Sequence, residues 1–342
     1  MARQNLKQDP TRTGLIRRKF VGEMRNRFGA VRKLVYDLVG RQDVFGLAAT
    51  PNPLLGNVEV DVATFRFASN PEKVELFRQW LQEQIDANIL TSDISGTPWT
   101  SEFIDSSYKK GIIHGYEEAL PQNLNDSPDM FSGGQRQFIQ PTLSGSATTK
   151  RIEMIFTRTF EDLRGVTQTM SHQMSRILAQ GFADGKNPRV IAREMTKEID
   201  KLTRTRATVI ARTEVIAAHA QGQLDAYSEL GMEQVRVEAE WSTAGDDRVC
   251  EQCEELEGVV MSIKDAEGLI PRHPNCRCAW MPVNTIIQHR GQKRDTAATK
   301  AMAKSMVSER KKKRPLSEAV AGSQWQGKDV WKRQAKKRAK KK

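Results

Sequence analysis

Residues 152–178, IEMIFTRTFEDLRGVTQTMSHQMSRIL, decide the fold class. Ile152, Ile155, Phe156, Leu163, Val166, Met170, Met174, Ile177 and Leu178 recur at spacings that place them on one face of an α-helix of about eight turns. Gly181 and Gly185 end that helix. Asn187-Pro188 then reads as a new N-cap with proline in the first helical turn. A further helix follows through Ile191, Met195 and Ile199, and another over roughly Thr205–Leu230, closed by Gly231. Working back from the quoted stretch, residues 121–149 hold several Pro, Gly, Ser and Asn and little charge, which predicts a loop-rich connector and no helix. Upstream of it, Trp99–Leu120 reads as a helix whose latter half Gly111 and Gly115 weaken, and Pro71 opens another that runs to Leu90. Residues 1–40 place Leu15, Phe20, Met24, Phe28, Val31, Val35 and Leu38 at helical spacing among many Arg and Lys.

Charge divides the chain differently. The 342 residues carry a formal net charge of +12, with a pI near 9.6 and a mean hydropathy of −0.59. Residues 1–40 contribute +7 and residues 290–342 contribute +15, so the stretch between them is acidic, at −10. Basic terminal blocks are commonly solvated segments that meet polyanions. The tail cations are Lys311, Lys312, Lys313, Arg314, Lys332, Arg333, Lys336, Lys337, Arg338, Lys340, Lys341 and Lys342. They predict non-specific contact with double-stranded DNA through phosphate neutralisation. Trp325 and Trp331 add only a weak suggestion of base stacking. No run approaches the ~18 apolar residues of a membrane span, and no apolar stretch follows Met1-Ala2-Arg3-Gln4-Asn5, so neither a membrane location nor secretion is expected.

After Gly231 the period of the sequence changes from helical to alternating. Val235, Val237, Ala239 and Trp241 predict a strand with one buried face. Val259–Met261 and Ala279–Val283 predict two more, and Asp246-Asp247 would cap a short helix between them. All four cysteines fall here, as Cys250-Glu-Gln-Cys253 and His273-Pro-Asn-Cys276-Arg-Cys278. Two such knuckles about 20 residues apart can converge on one tetrahedral ion. Five donors compete for four positions: four cysteines are one solution, and Cys250, Cys253, His273 with one of Cys276 and Cys278 is another. The expected cofactor is a structural Zn2+, because a closed donor set leaves no position for a reactive water. A module of about 50 residues needs such a staple.

These residues carry a resemblance. Ala211-Arg212-Thr213-Glu214, Gly231, Glu240-Trp241 with the stretch to Cys250-Glu-Gln-Cys253, Gly258, and Ile270-Pro-Arg-His273-Pro-Asn-Cys276-Arg-Cys278 are similar in order and spacing to the phage head morphogenesis, or minor head (minor capsid), proteins of the phage Mu F-like kind. The likeness is dense from about 150 to 283 and looser before 120, where Trp99 and Tyr108-Lys-Lys-Gly111 match. The resemblance implies a non-enzymatic virion component of the inner capsid near the portal vertex, present in the host cytoplasm during assembly. Its implied partners are the portal protein and the major capsid or scaffolding protein, and its implied metal ligands are Cys250, Cys253, His273, Cys276 and Cys278.

The fold class that follows is a mainly α-helical body, a small zinc-stapled α+β module and a disordered basic tail. Five ranges divide the chain: an N-terminal helical region (1–120), the connector (121–149), the long-helix region (150–230), the Cys/His module (231–285) and the tail (286–342). Arg212 and Glu214 stand two apart on a helix and so address different neighbours. The scattered His114, His172, His219 and His289 read as ordinary surface or core residues. No phosphate-binding G-x-x-x-x-G-K-[ST] and no G-x-S-x-G occurs. The alternatives in other classes are a zinc-containing DNA-binding protein and an HNH-like nuclease, the latter lacking a separate cluster to hold a hydrolytic metal and a base.

Overall fold

Helix α1 (Gly14–Val35) buries the stripe Phe20, Val21, Met24, Phe28, Val31 and Val35, and it continues into one π-helical stretch, Tyr36–Arg41. The protein is represented by a computed structural model that describes residues 9–48, 65–66, 68–94, 96–119, 134–231, 237–284 and 305. Helix α2 (Asn70–Asn88) begins at Ser69, whose backbone N–H donates to Glu72 at 2.7 Å. Helix α3 (Ser101–Ala119) packs its Phe103 flat on Phe20 of α1, ring centroids 4.6 Å apart, with Trp99 edge-on to Phe20.

Two expectations change here. Helix α3 is unbroken at Gly111 and Gly115, and the glycines serve packing. A Cβ at Gly111 would stand 2.2 Å from the carbonyl oxygen of His219, and one at Gly115 would stand 2.9 Å from Cβ of Ala226. The partner surface is the helix Thr208–Glu229, which answers with a glycine of its own: a Cβ at Gly222 would lie 2.3 Å from the Tyr108 carbonyl oxygen. The predicted connector also contains helix α4 (Gln135–Ser144), with Pro141 inside it. Local sequence argues against this helix, but tertiary packing overrides it: Phe138 is buried, stacked at 5.2 Å on Tyr116 of α3.

Helix α5 (Ser146–Ala183) is the long helix of the quoted stretch, starting six residues before its first apolar position. Asn187 caps α6 (Pro188–Leu202) by accepting from the N–H of Arg189 at 2.9 Å. A π-helical stretch, Thr203–Ala207, leads into α7 (Thr208–Glu229). Helix α7 is buried on nearly every side, with Ala211, Ile216, Ala218, Ala226 and Tyr227 wholly or almost wholly enclosed.

Strand β1 (Val237–Ser242) alternates buried and half-buried residues, as its period requires. It lies between β2 (Val260–Met261) and β3 (Ala279–Asn284) in an antiparallel sheet of order β2-β1-β3, with Trp241 opposite Trp280. The edge position of β3 accommodates Pro282. Gln223 of α7 satisfies the open edge of β3: its Nε2 donates to the Trp280 carbonyl at 2.8 Å, and its Oε1 accepts from the Trp280 N–H at 3.2 Å. One side-chain amide thereby takes the place of a neighbouring strand. The buried apolar cluster runs without a break from Phe20 to Trp280, so the helical ranges and the sheet share one core. Among the described residues, no helix is long and apolar enough to cross a membrane. The tail cations from Lys311 to Lys342, with Trp325 and Trp331, lie outside the described residues, as do Val235 and His289.

Candidate metal centre

The five predicted donors converge. Cys250 holds the N-cap position of the short helix α8 (Glu251–Glu254), and its carbonyl accepts from the N–H groups of Cys253 at 3.0 Å and Glu254 at 2.9 Å. This turn aims both sulfurs one way. Asp246 and Asp247 precede the helix and do not cap it; Asp246 instead accepts from the Arg248 N–H at 3.1 Å within its own turn. The chain then returns to the sheet through Gly258, whose N–H donates to the Trp241 carbonyl at 2.8 Å. After β2 and the short helix α9 (Ile263–Ala266), the second knuckle closes with the Cys276 N–H donating to the His273 carbonyl at 3.1 Å. Asn275 takes the left-handed conformation this tight turn needs, with φ of 62°, which asparagine tolerates better than most residues.

Nε2 of His273 stands 3.1 Å from Sγ of Cys250 and 3.1 Å from Sγ of Cys253. Sγ of Cys253 lies 4.0 Å from Sγ of Cys276. The donors form two overlapping triads, Cys250–Cys253–His273 and Cys253–Cys276–Cys278, each with all ligand atoms within 4.8 Å of one another. Cys253 belongs to both. A tetrahedral zinc with Zn–S near 2.3 Å and Zn–N near 2.0 Å sets ligand–ligand separations of about 3.5–3.8 Å. The observed separations bracket that range, and soft sulfur with imidazole is the donor chemistry zinc takes. None of the four cysteines is in a disulfide. Cys253, Cys276 and Cys278 are buried.

The imidazole is oriented for ligation. Nδ1 of His273 lies 2.9 Å from the Pro274 carbonyl. A carbonyl only accepts, so Nδ1 carries a proton and Nε2, facing the sulfurs, is the ring atom placed to ligate. Hydrogen bonding sorts the thiols. The bond with Cys253 holds Cys250 down, to about 4, against its burial. Bonds with Cys253 and Cys278 hold Cys276 low, while bonds to Cys250 and Cys276 raise Cys253. Burial pulls His273 down, but Cys250 and Cys276 outweigh it and lift the ring to about 9. Cys250 and Cys276, held toward the thiolate in this way, are the form a divalent cation binds.

A surrounding set of bonds positions the knuckles. The Asn275 N–H donates to Oγ1 of Thr213 on α7 at 3.0 Å. Arg277, between the last two cysteines, makes a bidentate pair with Asp246 at 2.8 and 2.5 Å. Arg277 and then Arg248 hold the Asp246 carboxyl far below its ordinary range. The site thus joins α7, the β1–α8 loop and the start of β3.

Residues 172–281 match the family model of phage Mu protein F like protein. No curated protein and no solved structure matches the chain. The Mu F-like segment begins inside α5 and ends within β3, so it holds all five donors together with Thr213, Gln223 and Asp246. Helices α1 to α4 lie outside it.

Within that segment, Arg212 and Glu214 do address different neighbours. Glu214 is buried and accepts from Nη2 of Arg158 at 2.5 Å, whereas Arg212 is exposed on the side of Arg25 and Arg17. Between them, Thr213 is the positioning residue that sequence reasoning missed. A hydroxyl flanked by two charged residues on a helix carries no sign that it meets a loop 62 residues away. His114 and His219 meet in the core, Nδ1 to Nε2 at 3.3 Å, a pairing their scatter in sequence hides.

Proposed function

We propose that this protein is a phage minor head protein acting in prohead assembly and DNA packaging at the portal vertex. The observation that carries the reading is the Mu F-like match, which encloses the whole Cys/His cluster and the residues that position it. In this reading Cys250, Cys253 and His273, with Cys276 or Cys278, hold one Zn2+, and the ion's contribution is a cross-link between the two knuckles. The donor set closes around the ion and leaves no position for a reactive water, so the protein acts by binding and not by catalysis. The helical body docks on the portal and the capsid or scaffolding protein inside the head. The basic tail, from Lys311 to Lys342, contacts packaged DNA without sequence preference.

Quantifying this chain and its zinc in purified proheads, virions and emptied ghosts tests the proposal. The expected result is a few copies per particle with one zinc per copy. Absence of the chain from all three particles would overturn it.

A further inference from the structure

Helix α1 is one-sided in charge. Its 22 residues carry seven Arg or Lys and one acid, Glu23, which is taken by Arg27 at 2.8 Å. The stretch of the chain from residue 41 to 289 is net acidic, so this is a local concentration and not a general property of the body. The inward face of α1 is the apolar stripe that enters the core. The outward face exposes Arg18, Lys19, Arg25, Arg32 and Lys33 and no carboxylate. Of these, only Arg32 has an acidic partner among the described residues, Asp200 at 3.5 Å. Burial and then the nearby Arg25 and Arg17 depress Arg212 of α7 below the ordinary guanidinium range, which extends the positive region beyond α1.

Spacing adds a second observation. Arg18, Gly22, Arg25, Gly29 and Arg32 follow one another at intervals of four, three, four and three, so they form a single stripe on the helix. The arginines stand about 10.5 Å apart along the axis at 1.5 Å rise per residue. Glycine is a poor helix former, yet nothing inside this protein requires it here: a Cβ built at Gly22 or Gly29 meets no atom within 4 Å. That contrasts with Gly111 and Gly222, where a Cβ would strike backbone. The glycines leave low ground between successive guanidinium groups on an open face.

We propose that the outward face of α1 is a docking surface for the phosphate backbone of duplex DNA. A linear row of exposed cations complements a linear polyanion, and the planar guanidinium fork suits phosphate oxygens. The bare helix at Gly22 and Gly29 lets the backbone approach between the arginines. The surface carries no feature that reads bases, so binding is independent of sequence. This surface is separate from the tail, and its contact with DNA stands whether or not the chain is found in virions.

The test uses the full-length protein and a 30-base-pair duplex over a salt series. Arg18→Gln, Lys19→Gln and Arg25→Gln together remove three exposed cations that have no ion pair among the described residues. They are expected to make the slope of log K against log salt shallower by about 2–3, at about 0.9 per phosphate contact. Gly22→Met with Gly29→Met leaves the charge unchanged, and it is expected to weaken binding about tenfold without lowering the thermal midpoint. A third variant with glutamine at Lys336, Lys337, Arg338, Lys340, Lys341 and Lys342 measures the tail separately. An unchanged slope and affinity in the α1 triple variant would overturn the proposal. Equal affinity of the wild-type protein for polyglutamate, lost in that same variant, would also overturn it and assign the face to an acidic protein.

Discussion

The α3–α7 crossing is buried and the Cys/His cluster only partly so; both join distant parts of the chain, but they are built differently. At the crossing, Gly111, Gly115 and Gly222 let two helices approach until backbone meets backbone, and a buried polar chain runs beside the contact. His114 meets His219 there, and Glu118 accepts from Gln223 at 3.1 Å and Tyr227 at 3.3 Å. The cluster instead gathers five donors, of which a tetrahedral cation takes four. One region is specified by steric fit, and the proposed zinc would specify the other by ligand chemistry. They therefore fail under different perturbations, and Thr213 and Gln223 on α7 are the places where they meet.

The largest expected effect is on the cluster. Structural zinc contributes on the order of 10 kcal/mol to small metal-folded modules. Cys253→Ser, at the donor shared by both triads, should therefore abolish stoichiometric zinc in elemental analysis and expose the 250–278 region to hydrogen exchange. Helices α3 and α7 should stay protected. Loss of protection in both regions together would show that they form one cooperative unit.

Next is Gly111→Val, which drives a side chain into the His219 carbonyl. It should lower unfolding stability by about 3 kcal/mol or more in a denaturant titration, while zinc content stays at that of the wild type.

A smaller effect concerns pH. Burial raises Glu118 to about 8 from an ordinary value near 4.5. A raised folded-state pKa means its favourable contribution is fully present below about pH 4.5 and is lost as pH rises through about 8. Glu118→Gln should flatten that part of the stability–pH profile in thermal melts between about pH 5 and 9. An unchanged slope would show that Glu118 does not govern it.

The smallest effect tests the link between the regions. Thr213→Val removes the acceptor of the Asn275 N–H and should cost about 1 kcal/mol of stability. Zinc affinity should fall about tenfold in a competitive chelator titration, the usual scale for loss of an outer positioning bond.

Legibility in the sequence follows the range of the interactions. The apolar stripe of α5 and the Asn187-Pro188 start of α6 are readable because the residues that make those elements lie within one or two turns of each other. The donors are readable for the same reason, since a C-x-x-C turn positions both sulfurs locally. Helix α4 is not readable: Pro141 and the flanking glycines argue against a helix, and only the stack of Phe138 on Tyr116 outweighs them. Gly111 misleads on similar grounds. An isolated glycine weakens a helix, whereas a glycine against a second backbone makes a helix pair possible.

By itself the sequence determined the helical class, the strand alternation after Gly231, the acidic middle between basic ends, and the five donors in their two knuckles. Each of these depends on composition or on neighbours a few residues apart. Only the tertiary structure decided that Cys253 is common to both donor triads, that Thr213 holds the second knuckle, that Gln223 completes the edge of β3, and that glycines in α1 and α3 have opposite surroundings. Those outcomes depend on which surfaces meet across roughly 20 to 110 residues of chain, and a local pattern carries no record of its distant partner.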